Sequence, residues 1–116
     1  MPKNTVFVIA LLVIILTISA TLFLNNYVIK PVSKTEIDTV VNQARLLYRQ
    51  KKATNENLVN GPCLSNALMP NWVADLAHSP RIPVDDLSEN QCSGYIEGRA
   101  QHFVELDLDG NLIRAK

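Results

Sequence analysis

Charged residues are missing from the first long stretch of the chain, which has no Asp, Glu, Lys or Arg from Thr5 to Leu24. Fourteen of these twenty residues are Leu, Ile, Val or Phe. About 20 apolar residues match the hydrocarbon thickness of a bilayer. Residues 1–30 are therefore predicted to form a transmembrane anchor. Without a charge or a GxxxG pattern, no face is marked for packing on other membrane helices.

A cleaved signal peptide is the alternative interpretation of this segment. Signal peptides have an apolar region of about 7–15 residues that ends in a small-x-small cleavage site. Here Ile18-Ser19-Ala20 is a poor site, and the apolar run continues beyond it to Leu24. The pattern favours an uncleaved anchor, with Tyr27 at the level of the lipid headgroups.

Cysteine is scarce, since Cys63 and Cys92 are the only two. A disulfide between them would close a loop of about 30 residues and contribute about 3–4 kcal/mol in the chain-entropy model. The segment between them reads as rich in loops, so a covalent link there has the largest effect. This hypothesis requires an oxidising compartment.

Metal binding and thiol catalysis are the alternatives for these cysteines. A zinc site has ligand types in Cys63, His78, Cys92 and His102, but the spacing lacks the common C-x₂₋₄-C and H-x₃₋₅-H pairs. Cys63 could be a nucleophile with either histidine as base, although no nucleophile turn surrounds it. We predict no catalytic residue, no metal and no cofactor.

Basic and acidic residues are unevenly distributed although the formal net charge is zero. Residues 30–52 carry six Lys/Arg and two Asp/Glu, whereas residues 53–116 carry four and nine. The basic segment is either an ordinary solvated helix face or a surface near anionic lipid headgroups. No basic stripe with interleaved aromatic residues is present, so nucleic-acid binding is not expected.

The orientation in the membrane decides the redox environment of the cysteines. The positive-inside rule leans slightly towards a cytoplasmic C-terminal domain, because Lys3 stands on one side and Lys30 and Lys34 on the other. A short N-terminal stub before an apolar segment favours the opposite orientation, and so does the cysteine pair. We predict a cytoplasmic N-terminus and an extracytoplasmic domain over residues 31–116.

Helical periodicity is clearest directly after the anchor. Ser33 and Glu36 fit a capping box, and the predicted helix runs to about Lys52. One face of it is apolar: Ile37, Val40, Val41, Ala44, Leu47 and Tyr48. This face is interpreted as core, with a partner-helix interface as the alternative. Trp72 is expected to anchor the core against this helix, with surface binding as the alternative.

The C-terminal part predicts a β-hairpin, with a strand from His102 to Asp107, a turn at Asp109-Gly110 and a return strand from Leu112. The segment 72–77 is either a short helix or a short strand, Tyr95-Ile96 is a candidate third strand, and 79–91 reads as a surface loop. The segment 107–111 superficially resembles a calcium loop, but its glycine is misplaced, so Asp107 and Asp109 are interpreted as turn residues. The expected fold is α+β, an amphipathic helix packed on a small antiparallel sheet.

This layout resembles the type IV pilin and pseudopilin plan, in which an apolar N-terminal helix leads into a head with a cysteine-bracketed loop and antiparallel strands. The pilin processing motif, with a glutamate at the fifth position of the apolar segment, is absent from this chain. The C-terminal segments of small uncharacterised bacterial membrane-anchored proteins are similar to NQCSGYIEGRAQHFVELDLDGNLIRA. That resemblance implies membrane anchoring and no known activity.

These observations predict a single-pass protein of the bacterial cytoplasmic membrane that acts as a structural or interaction subunit of the cell envelope and is not an enzyme. Its expected partners are the lipid bilayer and another membrane or envelope protein. The alternative is a small ligand- or zinc-binding accessory domain on a membrane anchor.

Overall fold

The computed structural model describes residues 1–26 and 31–116, so the predicted interfacial position of Tyr27 lies outside the described residues. The chain divides into two compact units, Met1–Pro31 and Val32–Lys116. The first unit contains helix α1, Lys3–Asn26. The second unit is an α+β head, as predicted.

Helix α1 is long and apolar enough to cross a membrane, because an 18-residue stretch within Lys3–Asn25 has a mean hydropathy of 2.9. Its 24 residues span about 36 Å at 1.5 Å each. Three hydroxyl groups within it, those of Thr17, Ser19 and Thr21, donate hydrogen bonds of 2.8 Å to carbonyl oxygens one turn earlier. These bonds satisfy the three hydroxyl donors in the C-terminal half of the helix, as a hydrocarbon environment requires.

The head contains two further helices, four strands and two 3-10 turns. In chain order these are α2, Lys34–Ala53; β1, Cys63–Met69; β2, Trp72–Leu76; the 3-10 turns Pro83–Asp86 and Ser88–Asn90; α3, Ser93–Ile96; β3, His102–Leu106; and β4, Leu112–Ala115. Strand β1 was not predicted, the segment 72–77 contains a strand rather than a helix, and Tyr95-Ile96 belongs to a short helix rather than a strand.

Helix α2 begins at the predicted cap, where the Ser33 hydroxyl accepts a hydrogen bond from the Glu36 backbone N–H at 3.1 Å. A capping box would have the Glu36 carboxylate accept a hydrogen bond from the Ser33 backbone N–H, but its observed partner is different. It accepts a hydrogen bond of 2.8 Å from the Trp72 indole N–H. The start of α2 is thereby tied to the start of β2, and Trp72, only 1% exposed, anchors the core as expected.

The apolar face of α2 forms the main core, as predicted. Its buried residues are Val40, Val41, Ala44 and Tyr48, and Ile37 and Leu47 pack at the edge. They lie against one face of the sheet, called here the first face, which presents Leu64, Trp72, Ala74, Leu76, Val104 and Leu106. Each apolar side chain removed from water contributes about 1.5–3 kcal/mol. This packing explains why a helix of mixed polarity is stable here.

The sheet has the strand order β1-β2-β3-β4 and is mostly antiparallel. The exception is the central pair, because β2 and β3 run parallel, with Trp72 opposite His102 and Leu76 opposite Leu106. Strands β1 and β2 form a hairpin that turns at Asn71, whose φ of 69° is one that Asn tolerates. The Asn71 carbonyl and side-chain oxygens also accept hydrogen bonds from the N–H groups of His102 and Gln101.

The opposite side of the sheet, called here the second face, has a smaller apolar cluster. It consists of Val73, Phe103, Ala100 and Cys92, with Cys63 packed against them. Residues 77–101 form the connection between the parallel strands and supply Cys92, Ala100 and the 3-10 turns. A parallel pair requires such a crossover, which cannot be a tight turn.

The predicted hairpin of β3 and β4 is confirmed, and its turn is clamped to α2. The Tyr48 hydroxyl donates a hydrogen bond of 2.7 Å to the Leu108 carbonyl. Gly110 has a φ of 86°, and a Cβ there would lie 2.6 Å from Cε1 of Tyr48. A side chain at this position would be strained by the backbone and would also displace the Tyr48 ring.

We expect Gly110→Ala to lower the free energy of unfolding by about 2–4 kcal/mol, combining left-handed backbone strain with the clash on Tyr48. Gly98→Ala is the matched control, because Gly98 also has a positive φ of 76° but a Cβ there meets nothing within 4 Å. It should lose only about 1–2 kcal/mol. The measurement is urea unfolding of the detergent-solubilised chain followed by Trp72 fluorescence. Equal losses in both variants would show that Tyr48 does not restrict position 110.

Candidate functional site

The two cysteines are joined in a Cys63–Cys92 disulfide. Cys63 begins β1 opposite Asp75 of β2, and Cys92 precedes α3 and is only 3% exposed. The bond therefore ties the edge of the sheet to the crossover above the second face. With both sulfurs in this bond, neither is a thiolate that could attack a substrate or bind zinc.

The two histidines lie in separate environments. His78 follows β2, and its Nδ1 is 2.9 Å from Oδ1 of the buried Asp85. The His102 ring stacks on Trp72, with 4.9 Å between ring centroids. The predicted alternative zinc ligands thus include two sulfurs in a disulfide and a histidine packed on the indole. Within residues 1–26 and 31–116, no group of three or more His, Cys, Asp or Glu side chains is placed to hold a metal ion.

The segment that superficially resembled a calcium loop is a tight turn. Asp107 Oδ1 accepts hydrogen bonds from the backbone N–H groups of Asp109 and Asn111, and Oδ2 accepts one from the Asn111 side chain. Burial opposes ionisation of Asp107, but these bonds prevail and lower its pKa. Asp107 is therefore a turn residue, as predicted.

The most distinctive site is a pocket of about 150 Å³ on the second face, which sequence reasoning missed. Its lining combines an apolar and a charged half. The apolar half consists of Val73, Cys92, Tyr95, Ile96 and Phe103, and the polar half of Asp75, Arg81, Gln91, Glu105 and Arg114. Pockets that pair an apolar wall with a few convergent polar groups are typical of small-molecule sites.

Glu105 is the buried centre of the charged half. It is 5% exposed, and its carboxylate accepts a 3.0 Å hydrogen bond from the Arg81 guanidinium. Arg114 pairs with its other oxygen at 3.4 Å. A buried carboxylate requires such pairing, because an isolated charge in the protein interior is strongly unfavourable.

Asp75 lies directly beside Glu105, since the two are register partners in the parallel pair of β2 and β3. One Asp75 oxygen accepts a hydrogen bond from the Leu76 backbone N–H at 2.9 Å. Burial raises the pKa of Asp75 to about 7, and the negative charge of Glu105 adds to the effect. A carboxyl group that changes charge near neutral pH inside a pocket is a functional-site candidate.

The loop that carries Arg81 is held in place by Asp85. The buried Asp85 carboxylate accepts hydrogen bonds from the backbone N–H groups of Ile82 and His78, and it also contacts the His78 ring. Burial opposes its ionisation, but these hydrogen bonds lower the pKa. Gly61 gives the carboxylate its room, because a Cβ there would lie 2.8 Å from Asp85 Oδ1. Asp85 is therefore a structural anion that positions Arg81.

A sequence signal for the pocket does exist. The central strands read WVADL and HFVEL, and each has an acidic residue at its fourth position among buried neighbours. An acid that replaces an apolar residue in a core strand marks an unusual environment. The parallel register that places Asp75 beside Glu105 is visible only in the structure. The same holds for the crossover, which places Arg81 within hydrogen-bond distance of Glu105.

The comparisons with known proteins do not assign this site. Neither models of protein families, nor curated proteins, nor solved structures match this chain.

We expect the stability of the head to fall as the pH rises from about 4 to 7. The folded chain holds the Asp75 proton up to a pKa of about 7, whereas the unfolded chain releases it near 3.8. The unfolded state binds fewer protons in this window, so the free energy of unfolding decreases with pH. Asp75→Asn should remove this decrease and stabilise the head at pH 8 by roughly 2–4 kcal/mol.

Urea unfolding at pH 5 and pH 8 measures this effect. Asp109→Asn is the control, because Asp109 is exposed and an Asn-Gly turn is equally favourable there. If the stability of Asp75→Asn decreased with pH as much as that of the unchanged chain, Asp75 would not be the cause of the pH dependence.

Replacing both cysteines with serine should lower the free energy of unfolding by about 3–4 kcal/mol. The disulfide joins residues 29 positions apart, and without it the unfolded chain gains conformational entropy. The same loss is expected when the unchanged chain is unfolded with a reductant present. A reductant effect on the double-serine variant itself would show a cause other than this bond.

Proposed function

We propose that this chain is a single-pass protein of a bacterial cytoplasmic membrane, with its N-terminus in the cytoplasm and its head outside. There it acts as a structural or interaction subunit of the cell envelope rather than as an enzyme. The observation that carries this proposal is the Cys63–Cys92 disulfide in a chain that also has a long apolar helix. Disulfides persist in oxidising compartments and are rare in the cytosol.

The architecture of the head supports the extracytoplasmic placement. The second face is covered mainly by a crossover of short turns, and its apolar cluster is small. A covalent link at Cys92 restrains that crossover where apolar packing is limited. Small extracytoplasmic domains commonly use disulfides in this way, since a small core alone gives little stability.

The contacts of the cysteine and histidine side chains favour an interaction role over catalysis. Both sulfurs are in the disulfide, and the His78 ring contacts the buried Asp85. These contacts support a structural use over a cysteine nucleophile with a histidine base. The pilin-like layout stays a prediction and supports an envelope location; filament assembly is not part of the proposal, because the processing motif is absent.

A second candidate is a ligand-binding accessory domain on the same anchor. The pocket between Asp75, Glu105 and the aromatic side chains of the second face favours it. A zinc-binding version of this role has no such support, since the cysteine sulfurs are joined to each other.

The redox state of the cysteines in intact cells tests the proposal. We expect both to resist alkylation by a maleimide polymer until a reductant is added, as read by a gel shift. Orientation is tested separately with Val59→Cys, because Val59 is 69% exposed. A membrane-impermeant maleimide should label this variant in intact spheroplasts, and the unchanged chain is the control. Labelling of Val59→Cys only after lysis, or free thiols before reduction, would contradict the proposal.

A further inference from the structure

We propose that the pocket on the second face binds a carboxylate group that carries an apolar group next to it, either a small organic acid or the C-terminal residue of a peptide. Arg114 and Asp75 would bind the carboxylate, and the aromatic wall would hold the apolar part. This inference goes beyond the envelope role proposed above and does not depend on the orientation of the head.

The apolar wall is preformed and open to solvent. Tyr95 and Phe103 pack edge to face, with 5.0 Å between their ring centroids. Tyr95 and Ile96 remain 40% and 58% exposed at the mouth, so an apolar group entering there would cover surface that is now in water. The volume of about 150 Å³ is comparable to an engineered cavity that holds one benzene ring.

Of the two arginines that line the pocket, Arg114 has more N–H groups available to a ligand. Arg81 already uses its Nε on Asp86, one terminal nitrogen on Glu105 and the other on the Asp85 carbonyl. In the part of the chain that the structure describes, the Arg114 side chain makes the 3.4 Å ion pair from its Nε to Glu105 and lies over the Phe103 ring. Among the described residues, its terminal nitrogens have no hydrogen-bond partner. Two parallel N–H groups of a guanidinium match a carboxylate.

Asp75 supplies a second donor to the same space. One of its oxygens accepts from Leu76, and the other makes no hydrogen bond in the part of the chain that the structure describes. Burial and the adjacent Glu105 keep Asp75 protonated up to about neutral pH, so this side of the carboxyl group can donate. The polar groups around Asp75 come from several elements: Glu105 of β3, Arg114 of β4, Arg81 and Asp85 of the crossover, and Tyr95 of α3.

A carboxylate fits this arrangement better than a cation does. An ammonium group would favour the ionised form of Asp75 beside Glu105, and it would be repelled by Arg81 and Arg114. A carboxylate meets two donors instead, and neutral Asp75 adds no repulsion. Glu105 is neutralised by its arginine pairs, which leaves Arg114 able to contact both Glu105 and the ligand.

The test is a titration of the full chain in detergent with three probes of similar shape: phenylacetate, its neutral amide and phenethylamine. Binding is followed by NMR shifts of the Phe103 and Arg114 backbone amides. We expect phenylacetate to bind at millimolar concentrations and the other two at least tenfold more weakly. Its affinity should be about tenfold higher at pH 5.5 than at pH 8, because Asp75 loses its proton in between.

Two variants separate the roles of the two donors. Arg114→Gln should reduce phenylacetate binding at least tenfold, and Arg99→Gln should leave it unchanged, because Arg99 pairs with Glu97 outside the pocket. Asp75→Asn keeps a donor, so it should preserve binding and remove the pH dependence. Urea unfolding of each variant establishes that the head remains folded.

Several outcomes would overturn the proposal. They are the absence of phenylacetate binding, equal binding of the amide, or phenethylamine binding that strengthens above pH 7. The source of the carboxylate is distinguished with the peptide Gly-Leu-Phe and its C-terminal amide. Tighter binding of the free peptide than of phenylacetate assigns a chain end, whereas weaker binding assigns a small acid. Because the experiment uses purified protein, its failure would leave the membrane proposal standing.

Discussion

The parallel pairing of β2 with β3 is the constraint on which the rest of the head depends. Parallel neighbours cannot be joined by a tight turn, so the chain must leave Leu76, cross the sheet and return at His102. Because α2 already occupies the first face, the crossover lies over the second one. It contains two 3-10 turns and the short helix α3, and the Cys63–Cys92 disulfide attaches it to the edge of the sheet. The pocket exists because this cover is incomplete.

The same pairing gives the two faces different chemistry. Alternation along β2 and β3 sends Trp72, Leu76 and Leu106 towards α2, where they form an apolar core. The intervening positions point towards the crossover, and they pair Asp75 with Glu105 in register. Two neighbouring acids in a largely buried place would repel each other if both were ionised. The fold resolves this conflict with arginines on Glu105 and a proton on Asp75.

Among the described residues, the Asp75 carboxyl group has one hydrogen-bond partner, the Leu76 backbone N–H, and its ionisation opposes folding at neutral pH. By contrast, the carboxylates of Asp85 and Asp107 form hydrogen bonds that hold the local structure together. Asp85 organises the loop that carries Arg81, and Asp107 closes the turn after β3. Binding sites commonly retain an acid whose ionisation destabilises the fold, and in the described residues the second Asp75 oxygen has no hydrogen-bond partner in the pocket. This contrast is why the second face, rather than the cysteines, is the strongest candidate for specific recognition.

The sequence by itself determined the apolar helix, the buried face and cap of α2, the β3–β4 hairpin and the pairing of its only two cysteines, because each depends on local periodicity or composition. It also placed Trp72 against α2. It did not reveal β1, whose irregular pairing and mixed exposure give no clean alternation. Only the tertiary structure decided that β2 and β3 are parallel neighbours and that Arg81 and Arg114 meet Glu105. Those contacts join residues far apart in the chain, and no local pattern encodes which strand lies beside which.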